Sequence, residues 1–169
     1  MLKYIVNKTD IGLMLIAGNT QGICLVAFAD TEQELHDVCA ARVPGAIHLS
    51  DEQLQIWANE IIKMIADPLA EVNLPLDLQG TTFERAVWEA LHMIPAGETR
   101  TYSEIATQVG KPKAVRAVGR ACGNNPVAIV VPCHRVIGSN GKLTGYRWGI
   151  RRKQQLLMKE AEQCPALVQ

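Results

Sequence analysis

Two closely spaced helix starts in the second half of the sequence constrain its fold most. Thr81-Thr-Phe-Glu84 and Thr101-Tyr-Ser-Glu104 both match the capping box. In that motif a hydroxyl group and a Glu three residues later satisfy backbone amides at a helix N-terminus. We therefore predict helices over about 83–93 and about 102–109, the second of which ends at Gly110.

A third helix follows after only a few residues. Pro112 suits the first turn of a helix over 113–122. A short connection that contains glycine between two small helices is typical of a helix-turn-helix. Small residues on the third helix would allow either close approach to a DNA groove or tight packing between helices, and the sequence leaves both open. These small residues are Ala114, Ala117, Gly119 and Ala121.

The first half of the sequence has a different pattern. Short apolar or β-branched runs begin at Tyr4, Gly12 and Gly22 and are separated by Asn, Asp and Gly, which predicts a small antiparallel meander. Helices should follow Thr31 and Ser50, the second with Leu54, Trp57, Ile61 and Ile65 on one face.

A domain boundary is predicted near residues 78–80. The segment 68–80 contains two prolines and ends in glycine, as linkers often do. We predict an α+β protein with an α/β domain at 1–78 and a mostly helical domain at 79–169.

Composition excludes several classes of protein. With 48% hydrophobic and 20% charged residues, the chain is globular rather than disordered. No apolar run approaches the roughly 20 residues of a membrane-spanning helix, and the N-terminus does not resemble a signal peptide. We therefore expect a cytoplasmic protein with no membrane partner. Its 5 cysteines are odd in number, widely spaced and lack a CxxC motif, which predicts free thiols and no metal site.

The neutral net charge conceals a difference between the two halves. Residues 1–80 carry 4 Lys or Arg and 11 Asp or Glu, a net charge of −7, whereas residues 81–169 carry 13 and 6, a net charge of +7. A basic half predicts a polyanionic partner such as a nucleic acid. The alternative is a chance distribution of surface charges.

A cysteine follows the most apolar run of the second half. Val127-Ala-Ile-Val-Val131 predicts a buried strand that stops at Pro132 and presents Cys133-His134-Arg135. A thiol becomes a strong nucleophile only as a thiolate, and a neighbouring His and Arg can supply a base and a positive field. The alternative is an ordinary buried Cys beside a surface His.

The run from Asn125 to Val136 closely resembles the active-site segment of the O6-alkylguanine-DNA alkyltransferases, also called methylated-DNA–cysteine S-methyltransferases. The resemblance extends over roughly residues 74–162, through 97–102, 111–118 and 145–149. The last two segments look most like the alkyltransferase module of the bacterial adaptive-response protein. This implies a winged helix-turn-helix at 79–169 and a ribonuclease-H-like domain at 1–78. Residues 1–73 resemble that domain only in length and strand-rich pattern.

The resemblance also implies catalytic roles for five residues. Cys133 matches the acceptor of the alkyl group, and His134 matches the base that deprotonates it through a water. Glu160 matches the carboxylate that orients the histidine. Asn125 matches the asparagine that braces the active-site turn, and Tyr102 matches a tyrosine that rotates the target phosphate and can donate a proton to the base.

Other residues are implied to contact DNA or the damaged base. Arg116 matches the arginine that enters the base stack in place of the flipped nucleotide. Ala114, Ala117, Tyr102 and Arg135 complete the expected DNA-binding set. The expected base pocket contains Tyr146, which would donate to O6, followed by Arg147 and Trp148, although some relatives have serine at position 147.

Together these residues imply direct-reversal DNA repair. The alkyl group of O6-alkylguanine, and of O4-alkylthymine, would move to Cys133 in one irreversible turnover, with no cofactor because the damaged DNA donates the group. The protein would bind the minor groove of duplex DNA at any sequence, without an obligate protein partner, and would flip the lesion out of the stack. Two alternatives are a non-catalytic lesion reader, which typically lacks the acceptor cysteine, and an alkylation-responsive regulator, for which we expect a further DNA-binding and zinc domain.

The role of Glu160 depends on a predicted C-terminal helix. Residues about 149–161 have a helical pattern that places Ile150, Leu157 and Ala161 on a buried stripe. Glu160 lies beside this stripe and could point inward at His134. The alternative is a solvated charge near the helix end.

Overall fold

A computed structural model describes residues 1–164, which form two compact units. The first unit contains residues 1–79 together with 126–128, and the second contains 80–125 and the described residues from 129 onward. The mixed α and β architecture predicted from the sequence is confirmed. No helix within residues 1–164 has the length and apolar character needed to cross a membrane.

The first unit is built on an antiparallel meander, as predicted. Strands β1 (Lys3–Thr9), β2 (Gly12–Asn19) and β3 (Gly22–Ala29) lie in the order β3-β2-β1, and the short strand β4 (Ile47–His48) pairs in parallel with β1. Gly22 has a φ of 150°, and a Cβ there would lie 2.6 Å from the Pro75 carbonyl oxygen. The turn between β2 and β3 therefore requires glycine.

Two helices complete the first unit. Helix α1 (Glu32–Arg42) is capped by Thr31, as predicted. Helix α2 (Glu52–Ala66) is capped by Asp51, whose carboxylate accepts from the Leu54 amide at 2.9 Å, and not by Ser50. An Asp side chain satisfies an N-terminal amide as well as a Ser does, so sequence alone did not separate the two. The buried side chains of α2 are Leu54, Ala58, Ile61 and Ile65, with the predicted Trp57 only half-buried.

The second unit contains the predicted helix starts. Helix α3 (Thr82–His92) begins with a complete capping box, in which Thr81 and Glu84 satisfy each other's backbone amides at 3.1 and 3.0 Å. A short strand β5 (Arg100–Thr101) leads into α4 (Tyr102–Gln108), where Thr101 caps the helix.

The third helix of this unit starts later than predicted. Helix α5 spans Val115–Gly123, because Pro112 and Lys113 lie in a turn that the Ala114 amide closes on the Lys111 carbonyl at 2.9 Å. The Trp88 indole of α3 donates to the Ala121 carbonyl of α5 at 2.8 Å, inside the core. After α5 come β6 (Val136–Ile137), which pairs in parallel with β5, and α6 (Ile150–Gln163).

The predicted strand over Val127–Val131 is wrong. These five residues are buried, but only Val127 forms a single β-bridge, and the chain turns at 128–130. Ile129 adopts a φ of 72°, the left-handed region that a β-branched residue rarely occupies. Asn125 closes the turn through its side-chain amide, which donates to the Val131 carbonyl at 2.8 Å. The apolar run correctly predicted that this segment is buried, but it did not predict the backbone conformation. The hydrogen bond from Asn125 stabilises a turn here instead of a strand.

The predicted buried stripe of α6 is also wrong. Ile150 is exposed and Leu157 and Ala161 are half-buried, whereas the buried side chains are Lys153, Leu156 and Glu160. The spacing remains helical, but two of the three inward positions are charged. The periodicity of the apolar residues therefore predicted the wrong face of α6 to be buried.

The left-handed conformation of Ile129 yields a stability prediction. In most positions Gly is less stable than Ala by about 0.5–1 kcal/mol, but a left-handed residue with a Cβ costs about 1–2 kcal/mol. We expect Ile129→Gly to be more stable than Ile129→Ala by about 1 kcal/mol in urea unfolding. The neighbouring pair Val130→Gly and Val130→Ala is the control and should show the usual order. If the Ala variant is the more stable of the two at position 129 as well as at position 130, the prediction is contradicted.

Candidate active site

Cys133 is held rigidly at the start of a 3₁₀ turn. The turn spans Cys133–Arg135 and follows Pro132, and β6 begins directly after it. The Cys133 amide donates to the Val131 carbonyl at 2.9 Å, and the Arg135 amide donates to the Pro132 carbonyl at 3.0 Å. Cys133 is only 7% exposed. Its thiol therefore lies at a fixed and nearly dry position.

The surroundings of Cys133 keep the thiol protonated. Burial raises the pKa of Cys133, against the opposing effects of a hydrogen bond with the Asn125 side chain and the positive charge of Lys153. A buried thiol with a raised pKa is a weak nucleophile. The site therefore requires a base.

His134 is suited to be that base. Its side chain is buried, so the alternative of a surface histidine is wrong. Nε2 lies 3.1 Å from Oε2 of Glu160. A carboxylate only accepts hydrogen bonds, so Nε2 carries the proton and Nδ1 has a free lone pair. Nδ1 is buried and has no hydrogen-bond partner among residues 1–164.

The charge state of His134 agrees with this role. Burial lowers the pKa of His134, and the charges of Arg135 and Lys153 lower it further, whereas Glu160 raises it. The net direction is downward, so the imidazole is neutral near pH 7. A neutral imidazole with a free Nδ1 can accept the proton of a thiol, directly or through a water.

Glu160 is buried, contrary to the alternative of a solvated charge. It is 3% exposed and contacts His134 through Oε2 and the Arg135 guanidinium Nε through Oε1. Burial alone would raise the pKa of Glu160, but the hydrogen bonds and charges of His134 and Arg135 outweigh it and lower the pKa. Glu160 is therefore a carboxylate at neutral pH.

Lys153 is a part of the site that the sequence did not predict. This residue is completely buried, and its ammonium donates to the carbonyls of Val136, Thr144 and Gly145 at 2.6, 3.1 and 3.2 Å. It thereby connects α6 to β6 and to the loop that precedes α6. The helical spacing of Lys153, Leu156 and Glu160 could have indicated a common face, but a charged residue is rarely assigned to a core.

Two tyrosines lie near the same loop. The Tyr102 hydroxyl donates to the Thr144 carbonyl at 3.1 Å, and burial raises the pKa of Tyr102. The Tyr146 hydroxyl is buried and has no hydrogen-bond partner within residues 1–164. Burial, together with the proximity of Cys133, raises the pKa of Tyr146 well above its ordinary value. Tyr146 is thus a protonated phenol with an unused donor.

The two residues that follow Tyr146 in the chain, Arg147 and Trp148, have different surroundings. Arg147 is exposed and donates to the Gly123 carbonyl at 3.2 Å, and its guanidinium lies 5.4 Å from the centre of the Trp148 ring. Trp148 is buried.

The expected DNA-binding residues of α5 are accessible. Arg116 is exposed and Ala114 and Ala117 are half-buried, whereas Ala121 packs in the core beneath Trp88. The small residues of this helix are therefore divided between packing and surface.

In residues 1–164 no group of three or more His, Cys, Asp or Glu side chains is arranged to hold a metal ion.

Comparison with known proteins identifies the family. Residues 82–162 match the family described as 6-O-methylguanine DNA methyltransferase, DNA binding domain. The chain is 45% identical over 166 residues to the methylated-DNA–protein-cysteine methyltransferase of Mycolicibacterium paratuberculosis, covering 98% of this chain and 96% of that protein. The chain belongs to the methylated-DNA–protein-cysteine methyltransferase family. The resemblance found in the sequence is confirmed.

Two further relatives show how far the similarity reaches. The chain is 41% identical over 162 residues to the bifunctional transcriptional activator/DNA repair enzyme Ada of Escherichia coli, and spans 46% of that protein's length. The crystal structure of Mycobacterium tuberculosis OGT in complex with DNA has a TM-score of 0.80 and 41% identity, covering 98% of this chain and 97% of that one. The similarity to the fold of that protein therefore extends over nearly the whole chain.

The geometry of His134 predicts its tautomer and titration. In ¹⁵N-labelled protein, NMR should show the proton on Nε2 at neutral pH and a titration midpoint below the ordinary histidine value of about 6.5, since burial disfavours the cation. His134→Gln assigns the resonance. A proton on Nδ1, or a midpoint above the ordinary value, would contradict the structure.

Proposed function

We propose that this protein repairs DNA by moving the alkyl group of O6-alkylguanine, and of O4-alkylthymine, to Cys133 in a single turnover. The observation that carries the proposal is the buried pair in which Glu160 holds Nε2 of His134 and leaves Nδ1 without a partner within residues 1–164, while the preceding residue in the chain is a buried, protonated Cys133. The names of its relatives support the same reaction, because they are called methylated-DNA–protein-cysteine methyltransferases.

The proposed reaction balances without a cofactor. His134 accepts the thiol proton, the sulfur attacks the alkyl carbon, and the bond between that carbon and O6 breaks with its electron pair left on the guanine. Tyr102 protonates the departing base and is itself reprotonated from solvent, His134 returns the thiol proton to solvent, and Tyr146 donates a hydrogen bond to O6. The products are guanine and a thioether on Cys133. A thioether has no activated leaving group, so each molecule reacts once.

We assign DNA binding to the second unit. Residues 79–169 would form a winged helix-turn-helix and residues 1–78 a ribonuclease-H-like domain. Ala114 and Ala117 would allow α5 to enter the minor groove at any sequence, and the exposed Arg116 would fill the stack after the lesion flips out. The net charge of +7 on residues 81–169 suits phosphate contacts.

The remaining assignments follow from the same reaction. Arg147 and Trp148 would lie at the base pocket, with Arg147 unable to replace a serine hydroxyl at O6 while it is bound to Gly123. All five cysteines are free, which suits a reducing compartment such as the cytoplasm. A lesion reader is disfavoured by the nucleophile and base that the site holds.

The direct test is a stoichiometric transfer. The protein is incubated with a duplex oligonucleotide that contains one O6-methylguanine, then examined by intact-mass and peptide analysis. We expect one added methyl group per molecule, located on Cys133, because the thioether cannot regenerate the thiol. Cys133→Ser is the control and should bind the same duplex without gaining a methyl group. Repeated turnover on excess DNA, or methylation of another residue, would overturn the proposal.

A further inference from the structure

Glu160 lies beside an open space. The residue lines a cavity of about 460 Å³, which is bounded by the loop before β5 and by α6. The lining residues are Gly97, Glu98, Thr99, Arg100, Leu157, Glu160 and Ala161. A Glu side chain has three rotatable bonds, and a buried carboxylate gains hydration by turning toward such a space. The hydrogen bond to His134 therefore needs a second restraint.

Arg135 supplies that restraint. Its Nε donates to Oε1 of Glu160, and its Nη1 donates to the Ile94 carbonyl at 2.6 Å. Ile94 lies just beyond the end of α3, so the guanidinium is anchored to backbone as well as to the carboxylate. The Arg135 side chain is 14% exposed. One planar group thus fixes the orientation of Glu160 through the oxygen that His134 does not bind.

We propose that Arg135 is a positioning residue for the alkyl transfer, which holds Glu160 against His134 by binding the carboxylate oxygen that His134 does not contact. This inference rests on the proposed function. It also gives Arg135 a different role from the DNA contact expected from the sequence, since two of its nitrogens are engaged inside the protein.

The charges around Glu160 support this role. The titratable and charged groups that interact with it are His134, Arg135 and Tyr146, and Glu98 and Arg100 line the same cavity. Glu98 and Arg100 pair with each other at 3.1 Å, and Lys153 is bound by three carbonyls. Within residues 1–164 the ion pairs of Glu160 are with His134 and Arg135. Because burial lowers the pKa of His134, Arg135 is the charged partner at neutral pH.

Removing Arg135 should therefore weaken the base in a pH-dependent way. Without the guanidinium, a buried Glu160 becomes easier to protonate, and a protonated carboxyl group no longer stabilises an imidazolium on His134. The loss of rate relative to the parent should grow as pH falls and shrink as pH rises.

The experiment is a double-mutant cycle on single-turnover transfer from O6-methylguanine duplex at saturating DNA. The variants are Arg135→Met, Glu160→Gln and the double variant, with Arg135→Lys as the conservative change and Arg151→Met as the control. Arg151 is an exposed arginine of α6. We expect Arg135→Met to lose at least about tenfold in rate near pH 6 and much less near pH 8.5, and to change nothing further in the Glu160→Gln background. Arg135→Lys should fall between the parent and Arg135→Met, and Arg151→Met should match the parent.

Each other outcome has a defined meaning. An Arg135→Met effect that is the same at every pH and persists in the Glu160→Gln background would overturn the proposal, and a loss confined to DNA affinity and its salt dependence would place Arg135 at the phosphates instead. If Arg135→Met does not fold, the same comparison is made with Arg135→Lys, whose loss must also vanish in the Glu160→Gln background. A parent protein that transfers no alkyl group would refute the proposed function itself.

Discussion

The ion cluster of Glu160, His134 and Arg135 is the interaction on which the rest of the site depends. Burying a carboxylate is costly unless it is paired and hydrogen-bonded, and here both oxygens of Glu160 are engaged. The cluster joins the 3₁₀ turn that carries Cys133 to helix α6. It therefore fixes the position of the proposed nucleophile, Cys133, and the tautomer of its proposed base, His134, with the same contacts.

A second buried charge stabilises the other side of the site. Lys153 lies two turns before Glu160 on α6 and binds three backbone carbonyls of β6 and the following loop. The three carbonyls solvate the buried ammonium charge, which otherwise would be costly to place in the interior. Its positive charge also opposes the effect of burial on the pKa of Cys133. Helix α6 thus contributes to the site through two charged side chains rather than through apolar packing alone.

Local signals predicted much of the fold. The capping box at Thr81 and the meander over β1 to β3 depend on neighbouring residues, so the sequence carried them directly. The predictions that were wrong depended on distant partners. The run Val127–Val131 turns because the Asn125 amide binds Val131, and α6 presents Lys153 and Glu160 because carbonyls and charges elsewhere in the chain receive them.

The same distinction applies to the active site. Cys133 and His134 were predicted because they are adjacent and match a family motif, whereas the contact of Glu160 with His134 spans 26 positions and rested mainly on the resemblance, with a predicted helix as the only support from the residues. The position of Arg135 between Glu160 and the Ile94 carbonyl had no signal in the sequence, since the partners lie on separate elements. Contacts of this kind become visible only when the elements are placed in space.

The most direct test of the account is the pH dependence of alkyl transfer by Glu160→Gln, measured in single turnovers on saturating O6-methylguanine duplex. Gln cannot stabilise an imidazolium as a carboxylate does, so proton transfer from Cys133 to His134 becomes less favourable. The account predicts a rate at least about tenfold below the parent near pH 7, with part of the loss recovered as pH rises above the ordinary thiol pKa of about 8.5. Transfer at the parent rate across this range would show that Cys133 is activated without the Glu160–His134 pair and would contradict the account.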